Sequence, residues 1–120
     1  MNYGSLDINT LHQKLVNQEI TDAELIQNMQ QKAQELQDKC NAFDYIMPLV
    51  KDVKITDNIL SGIPYGVKAN YSTKGILSTG SSNTLKDYVP FFDATAIANL
   101  NRTGAIPLNK TAMDEFGMGG

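Results

Sequence analysis

Gly62-Ile63-Pro64-Tyr65-Gly66-Val67-Lys68-Ala69-Asn70 is followed, after a long polar stretch, by Asp93-Ala94-Thr95-Ala96-Ile97-Ala98-Asn99-Leu100 and then by Ala105-Ile106-Pro107-Leu108-Asn109-Lys110. The outer two segments are short, apolar and bounded by glycine, which reads as strand. The middle one carries Ile97 and Leu100 at helical spacing, with Asp93 expected as its N-cap and Thr103-Gly104 as its end. Strand, helix, strand with about ten helical residues between them is a βαβ unit and requires a mainly parallel pairing. Pro107 removes a ladder donor and is expected to weaken the third strand. A parallel sheet is buried on both faces, and three short strands cannot supply that cover. The chain is therefore expected to be part of a larger α/β fold.

Upstream the grammar is helical. Residues 5–39 are rich in Gln, Glu, Lys and Leu, with Leu6, Leu11, Leu15 and Val16 at helical spacings behind the candidate caps Asp7, Asn9 and Thr10. Thr21-Asp22-Ala23-Glu24 fits a capping box opening a second helix. Its expected inner stripe is Leu25, Met29, Leu36 and Cys40. Ala42–Met47 leans toward strand until Pro48, and 48–61 reads as a connection with room for one helical turn. Residues 71–93 are crowded with small polar residues and read as a long loop. Thr111–Phe116 reads as a short helix start before Gly117-Met118-Gly119-Gly120. The organisation expected is a helical pair over 1–40 and the beginning of an α/β core over 41–120.

Composition excludes several classes. At 120 residues the chain holds one domain at most, taking roughly 100–200 residues per domain. Thirteen acidic side chains against ten basic ones leave a net charge of −3, the wrong sign for binding nucleic acid directly. The single Cys40 excludes an internal disulfide and a cysteine-built zinc site, and no metal site is expected. No apolar run is long enough to span a bilayer. Met1–Ser5 has no signal-peptide character, so a cytoplasmic location is expected.

Lys68 is the residue with the clearest chemical potential. Strand alternation puts Ile63, Tyr65 and Val67 on one face, and Pro64, Gly66, Lys68 and Asn70 on the other. A desolvated lysine becomes a neutral base near physiological pH, and Asn70 stands where it could hold the amine. Spacing alone favours a strand-end lysine that simply reaches water. The glycines around Lys68 do not have the spacing of a phosphate loop. Gly117–Gly120 reads either as an oxyanion-binding turn or as a plain one. Asp114-Glu115 reads as an acidic first turn, His12 as surface or half-packed, and Cys40 as a small apolar residue.

Taken together, Gly62-Ile63-Pro64, Val67-Lys68-x-Asn70, Thr73-Lys74-Gly75, Ser78-Thr79-Gly80-Ser81-Ser82, Asp93-Ala94-Thr95, Gly104-Ala105 and Lys110-Thr111-x-Met113-Asp114-Glu115-Phe116-x-Met118-Gly119 resemble the amidase signature family. The paired N-terminal helices and Met113–Phe116 are most similar to that family's tRNA-dependent amidotransferase branch, in its A subunits. The resemblance implies the N-terminal part of the amidase-signature fold, a mixed sheet flanked by helices, incomplete over this length.

It also implies an amide hydrolase with a Ser–cis-Ser–Lys triad in which Lys68 is the base. Met118 and Gly119 would line a glutamine pocket, and both serines would lie outside this sequence. In that branch the A subunit releases ammonia from glutamine beside partner B and C subunits. The partner uses ATP and Mg to amidate a mischarged tRNA, so no cofactor is implied for this chain. Two departures stand out: Ala69 replaces the family's usual acid, and Gly120 stands where a serine usually follows. The alternatives are a non-catalytic remnant or interaction module, and another amide hydrolase of the same family.

Overall fold

A computed structural model describes residues 2–48 and 53–119. Its regular elements are α1 (Ile8–Val16), α2 (Asp22–Cys40), β1 (Phe43–Ile46), β2 (Pro64–Lys68), α3 (Thr95–Arg102) and β3 (Ile106–Thr111). Asp7 caps α1 by accepting from Thr10 N at 2.7 Å. Thr21 and Glu24 form the expected capping box, with both bonds at 3.1 Å. The box satisfies two amide groups that no helical carbonyl can reach.

The sheet is mixed, in the order β1-β3-β2. β1 pairs antiparallel and β2 parallel with β3, so the last strand in the chain is the central one. Pro107 is tolerated there because the β2–β3 register slips beside it: Tyr65 faces Pro107, whereas Gly66 faces Asn109. This irregularity brings Asn109 and Thr111 to the Gly66 side, where a Cβ on Gly66 would lie 3.0 Å from Asn109 Oδ1 and 3.1 Å from Thr111 Cγ2.

Three clusters make up the core. Ile26 of α2 packs on Ile106 and Leu108, and Ile97 of α3 packs on Val67 and Met47 across the other face. Leu11, Leu15, Ile20 and Leu25 close the helical pair around Ile63. Ile63 therefore leaves the Tyr65–Val67 face expected for it and joins the helices.

Several other readings need correction. The α2 stripe runs through Leu25, Ile26 and Ala33, whereas Leu36 and Cys40 are exposed. Asp93 does not cap α3. Ala94 holds that position without a side-chain bond, because the Asp93 carboxylate instead accepts from Lys74 N at 2.8 Å. Thr111 ends β3 rather than opening a helix. Glu115–Gly117 makes only a 3₁₀ turn, broken by Phe116 at φ 53°. In the described part of 48–61 the chain turns without forming a helix. The expectation for Gly120 lies outside the described residues.

Candidate active site at the end of β2

Lys68 is the last residue of β2, and the alternation expected for this strand is present. Val67 and Ala69 are buried, whereas Gly66, Lys68 and Asn70 are exposed on the opposite face. Gly66 puts no side chain beside Lys68, and the Asn109 and Thr111 side chains lean towards the space that a Cβ would take. Ala69, in the turn that follows β2, is fully buried. Among the described residues, neither Lys68 Nζ nor the Asn70 amide makes a hydrogen bond, and the expected Lys68–Asn70 bond is not formed.

The backbone around Lys68 is firmly held. Ala69 N donates to Thr111 O at 3.1 Å, Tyr71 N to Lys68 O at 3.0 Å, and Gly80 N to Ala69 O at 3.1 Å. The last of these begins a link to the C-terminal segment. Gly80 O accepts from Phe116 N at 2.9 Å, Ser81 Oγ accepts from Met113 N at 3.0 Å, and Ser82 Oγ donates to Glu115 Oε1 at 2.6 Å. Ser81 adopts φ 56° to make this contact, and its hydroxyl donates to Asp44 at 2.6 Å. Residues 79–82 and 113–116 are thus interlocked at the end of the parallel strand pair, where parallel sheets commonly place their ligands. Met118 and Gly119 follow directly and are both exposed.

Lys110 carries a second amine that no motif singles out as a cation. It is fully buried, and its Nζ donates to Tyr71 O at 2.5 Å, Thr73 Oγ1 at 2.6 Å and Ser78 Oγ at 3.0 Å. Both hydroxyl protons are engaged elsewhere, Thr73 donating to Tyr71 O and Ser78 to Ile76 O. All three oxygens therefore offer lone pairs to Nζ, the arrangement an ammonium needs. Burial nevertheless lowers its pKa from 10.5 to about 8, with the charge of Asp93 opposing the shift. Lys110 opens one of the family-like motifs, but nothing in the flanking sequence marks it as a buried ammonium, because its three partners lie more than 30 residues away.

The other candidates have structural surroundings. His12 is half-buried, with Nδ1 3.4 Å from Ser61 O. Cys40 Sγ donates to Leu36 O at 3.2 Å. An apolar groove of about 530 Å³ runs beside Gly66, between the helical pair and the sheet. Its lining includes Met29, Ala33, Leu36 and Asn109, and the Asn109 Oδ1 is buried without a hydrogen-bond partner. Among the described residues, no three His, Cys, Asp or Glu side chains gather to hold a metal ion. No described helix is long and apolar enough to cross a membrane.

The chain belongs to the amidase family, described as Amidase, whose sequence pattern matches residues 24–120. The A subunit of glutamyl-tRNA(Gln) amidotransferase from Oenococcus oeni is 42% identical over 123 residues, covering 95% of this chain and 25% of that protein. The protein of the same name from Streptococcus pneumoniae strain Hungary19A-6 is 43% identical over 129 residues, covering 100% and 26%. The crystal structure of the glutamyl-tRNA(Gln) amidotransferase A subunit from Thermotoga maritima superposes with a TM-score of 0.82 at 28% identity, covering 99% of this chain and 25% of that one. Native peptide amidase from Stenotrophomonas maltophilia shares the fold, with a TM-score of 0.81 at 22% identity over 96% and 26% of the two chains. The chain thus spans about a quarter of the length of these relatives.

Proposed function

We propose that this chain is the base-bearing N-terminal segment of a glutamine-hydrolysing A subunit in a tRNA-dependent amidotransferase. The observation that carries the reading is Lys68 itself. It stands exposed on a strand end that backbone bonds hold on both sides, with its amine free of any described partner. The identity of 42–43% to proteins of that name, spread over nearly the whole chain, supports the choice of branch.

In this reading the neutral Lys68 amine accepts a proton from a cis-serine, which takes one from the nucleophilic serine; both serines come from the part of the fold outside this chain. The nucleophile attacks the glutamine carboxamide carbon, the C–N bond breaks, and ammonia leaves carrying a proton returned through the same relay. Water then releases glutamate. Met118 and Gly119 follow the interlocked loops and would border the glutamine pocket. Ammonia would pass to the partner B and C subunits, where ATP and Mg activate the side chain of the mischarged tRNA. Such a protein works in the cytoplasm.

The chain should therefore release no ammonia from glutamine by itself, because a base without a positioned nucleophile forfeits the ~7–11 kcal/mol available from orientation. Co-expression with the remaining three-quarters of the S. pneumoniae protein should restore glutaminase activity, read as coupled ammonia release. Lys68→Ala should abolish that activity, and Lys68→Arg should not recover it, since a guanidinium does not yield its proton at neutral pH. A Lys68→Ala pair retaining more than about a tenth of the turnover would remove Lys68 from the role, since loss of a triad member normally costs orders of magnitude.

A further inference from the structure

Tyr71 uses both of its backbone polar groups to join two lysines. Its N–H donates to Lys68 O at 3.0 Å, and its carbonyl accepts from Lys110 Nζ. Thr73 and Ser78, the other two supports of that ammonium, belong to the same loop. The loop's other anchors are on its outer side: Gly75 N donates to Pro90 O, Ser78 N to Tyr88 O, Lys74 N to Asp93, and Ala94 N to Ser72 O at 2.8 Å. Thr73 and Ser78 are themselves buried, and Thr73 N donates to Ser78 Oγ at 3.3 Å. The three oxygens therefore surround the amine from two points of one loop, and their proton arrangement accepts an ammonium rather than an apolar group. Asp93, at the entry to α3, is the acid whose charge acts on it. Tyr45 of β1 is its neighbour across the sheet.

We propose that Lys110 is a positioning residue for Lys68: its buried ammonium fastens the loop over Tyr71, Thr73 and Ser78 and so sets the strand end from which Lys68 projects. The importance of that strand end rests on the function proposed for Lys68, but the fastening is a property of this chain and is measured without activity. A neutral side chain of the same length fills the volume but removes three charge-assisted bonds: Thr73 Oγ1 is left without a donor, while Tyr71 O keeps only the Thr73 hydroxyl and Ser78 Oγ only Thr73 N–H, a loss that buried polar groups tolerate poorly.

The test is hydrogen exchange on the full 120-residue chain, read at Tyr71, Ile76 and Ser78 against amides of α2. Lys110→Met should speed exchange at the three loop amides by about tenfold or more while leaving α2 unchanged, the pattern of a local opening. Lys110→Ala removes a propylammonium-sized piece. Added propylammonium should restore protection of the loop, and equimolar n-propanol should not. That contrast isolates the ammonium from packing. Wild-type protection in Lys110→Met would overturn the proposal. So would equal recovery with the alcohol. Loss of protection in α2 to the same degree as in the loop would also overturn it, by making Lys110 a general core residue. Failure of the glutaminase experiment would leave each of these readings unaffected.

Discussion

Ser81 donates its hydroxyl proton to the Asp44 carboxylate at 2.6 Å, joining the 79–82 loop to a strand 37 residues earlier in the chain. The same oxygen accepts from Met113 N, and Thr79 Oγ1 adds a bond to Asp44 at 3.2 Å. One carboxylate on β1 thereby holds the loop that interlocks with the C-terminal segment. Asp44→Ala should lower stability by about 1.5 kcal/mol, the lower end of the roughly 1.5–3 kcal/mol range for a hydrogen bond to a charged group, because Asp44 is exposed. Ser81→Ala should be worse than Ser81→Gly, since alanine keeps the left-handed backbone penalty of about 1–2 kcal/mol that glycine lacks. Urea midpoints of the three variants decide the order, and Ser81→Gly proving the weaker chain would refute it.

Lys110 gives stability an alkaline pH dependence. Its folded pKa of about 8 lies below the ordinary 10.5, so between those values the unfolded chain binds more protons than the folded one. Stability contributed at this position therefore rises as pH climbs from about 8 towards 10.5, and it is flat below that window. The difference in urea midpoint between wild type and Lys110→Met, followed from about pH 6 to 10, should grow in favour of wild type above about pH 8. Tyrosines and the other lysines titrate in both chains and cancel in the difference. A gap that narrows over this range would contradict the assignment.

Gly104 is held in a conformation and a space that only glycine fits. Its φ of +88° is left-handed, and a Cβ there would lie 2.9 Å from Ser61 Oγ and 3.2 Å from Ser61 Cα. Ser61 is fully buried, with its hydroxyl accepting from Thr56 N at 2.9 Å, so it has no room to retreat. Gly104→Ala should destabilise by roughly 1–3 kcal/mol, combining backbone strain with the collision. A melting temperature equal to that of wild type would show that the Ser61 turn yields.

Local spacing encodes only part of this architecture. Thr21 and Glu24 determine a helix start within four residues, and Val67 against Lys68 assigns faces by alternation; both readings survive in three dimensions. Asp93 fails as a cap because a distant amide, Lys74 N, competes for its carboxylate. Leu36 leaves the expected stripe because helical spacing does not say where the covering sheet stops, and the buried line turns to Ile26 and Ala33 instead. Lys110 is invisible as a buried cation for the same reason. Its burial depends on a loop folding back across the sheet from residues 71–78. The family's motifs locate Lys68 as a candidate base, but its chemical surroundings depend on contacts that no short motif specifies.

The placement of β3 at the centre of the sheet also governs when the sheet can exist. As the polypeptide leaves the ribosome, the α1–α2 pair has its own local contacts and can close early. β1 and β2 are not neighbours and must each wait for residues 106–111. Until these are translated, Phe43–Ile46 and Pro64–Lys68 have unpaired backbone edges in the nascent chain, and the sheet closes only through contacts of large sequence separation, the slow kind. Codon choice or chaperone occupancy over the segment between Lys68 and Ile106 would therefore bear on yield more strongly than equal changes over the first forty residues.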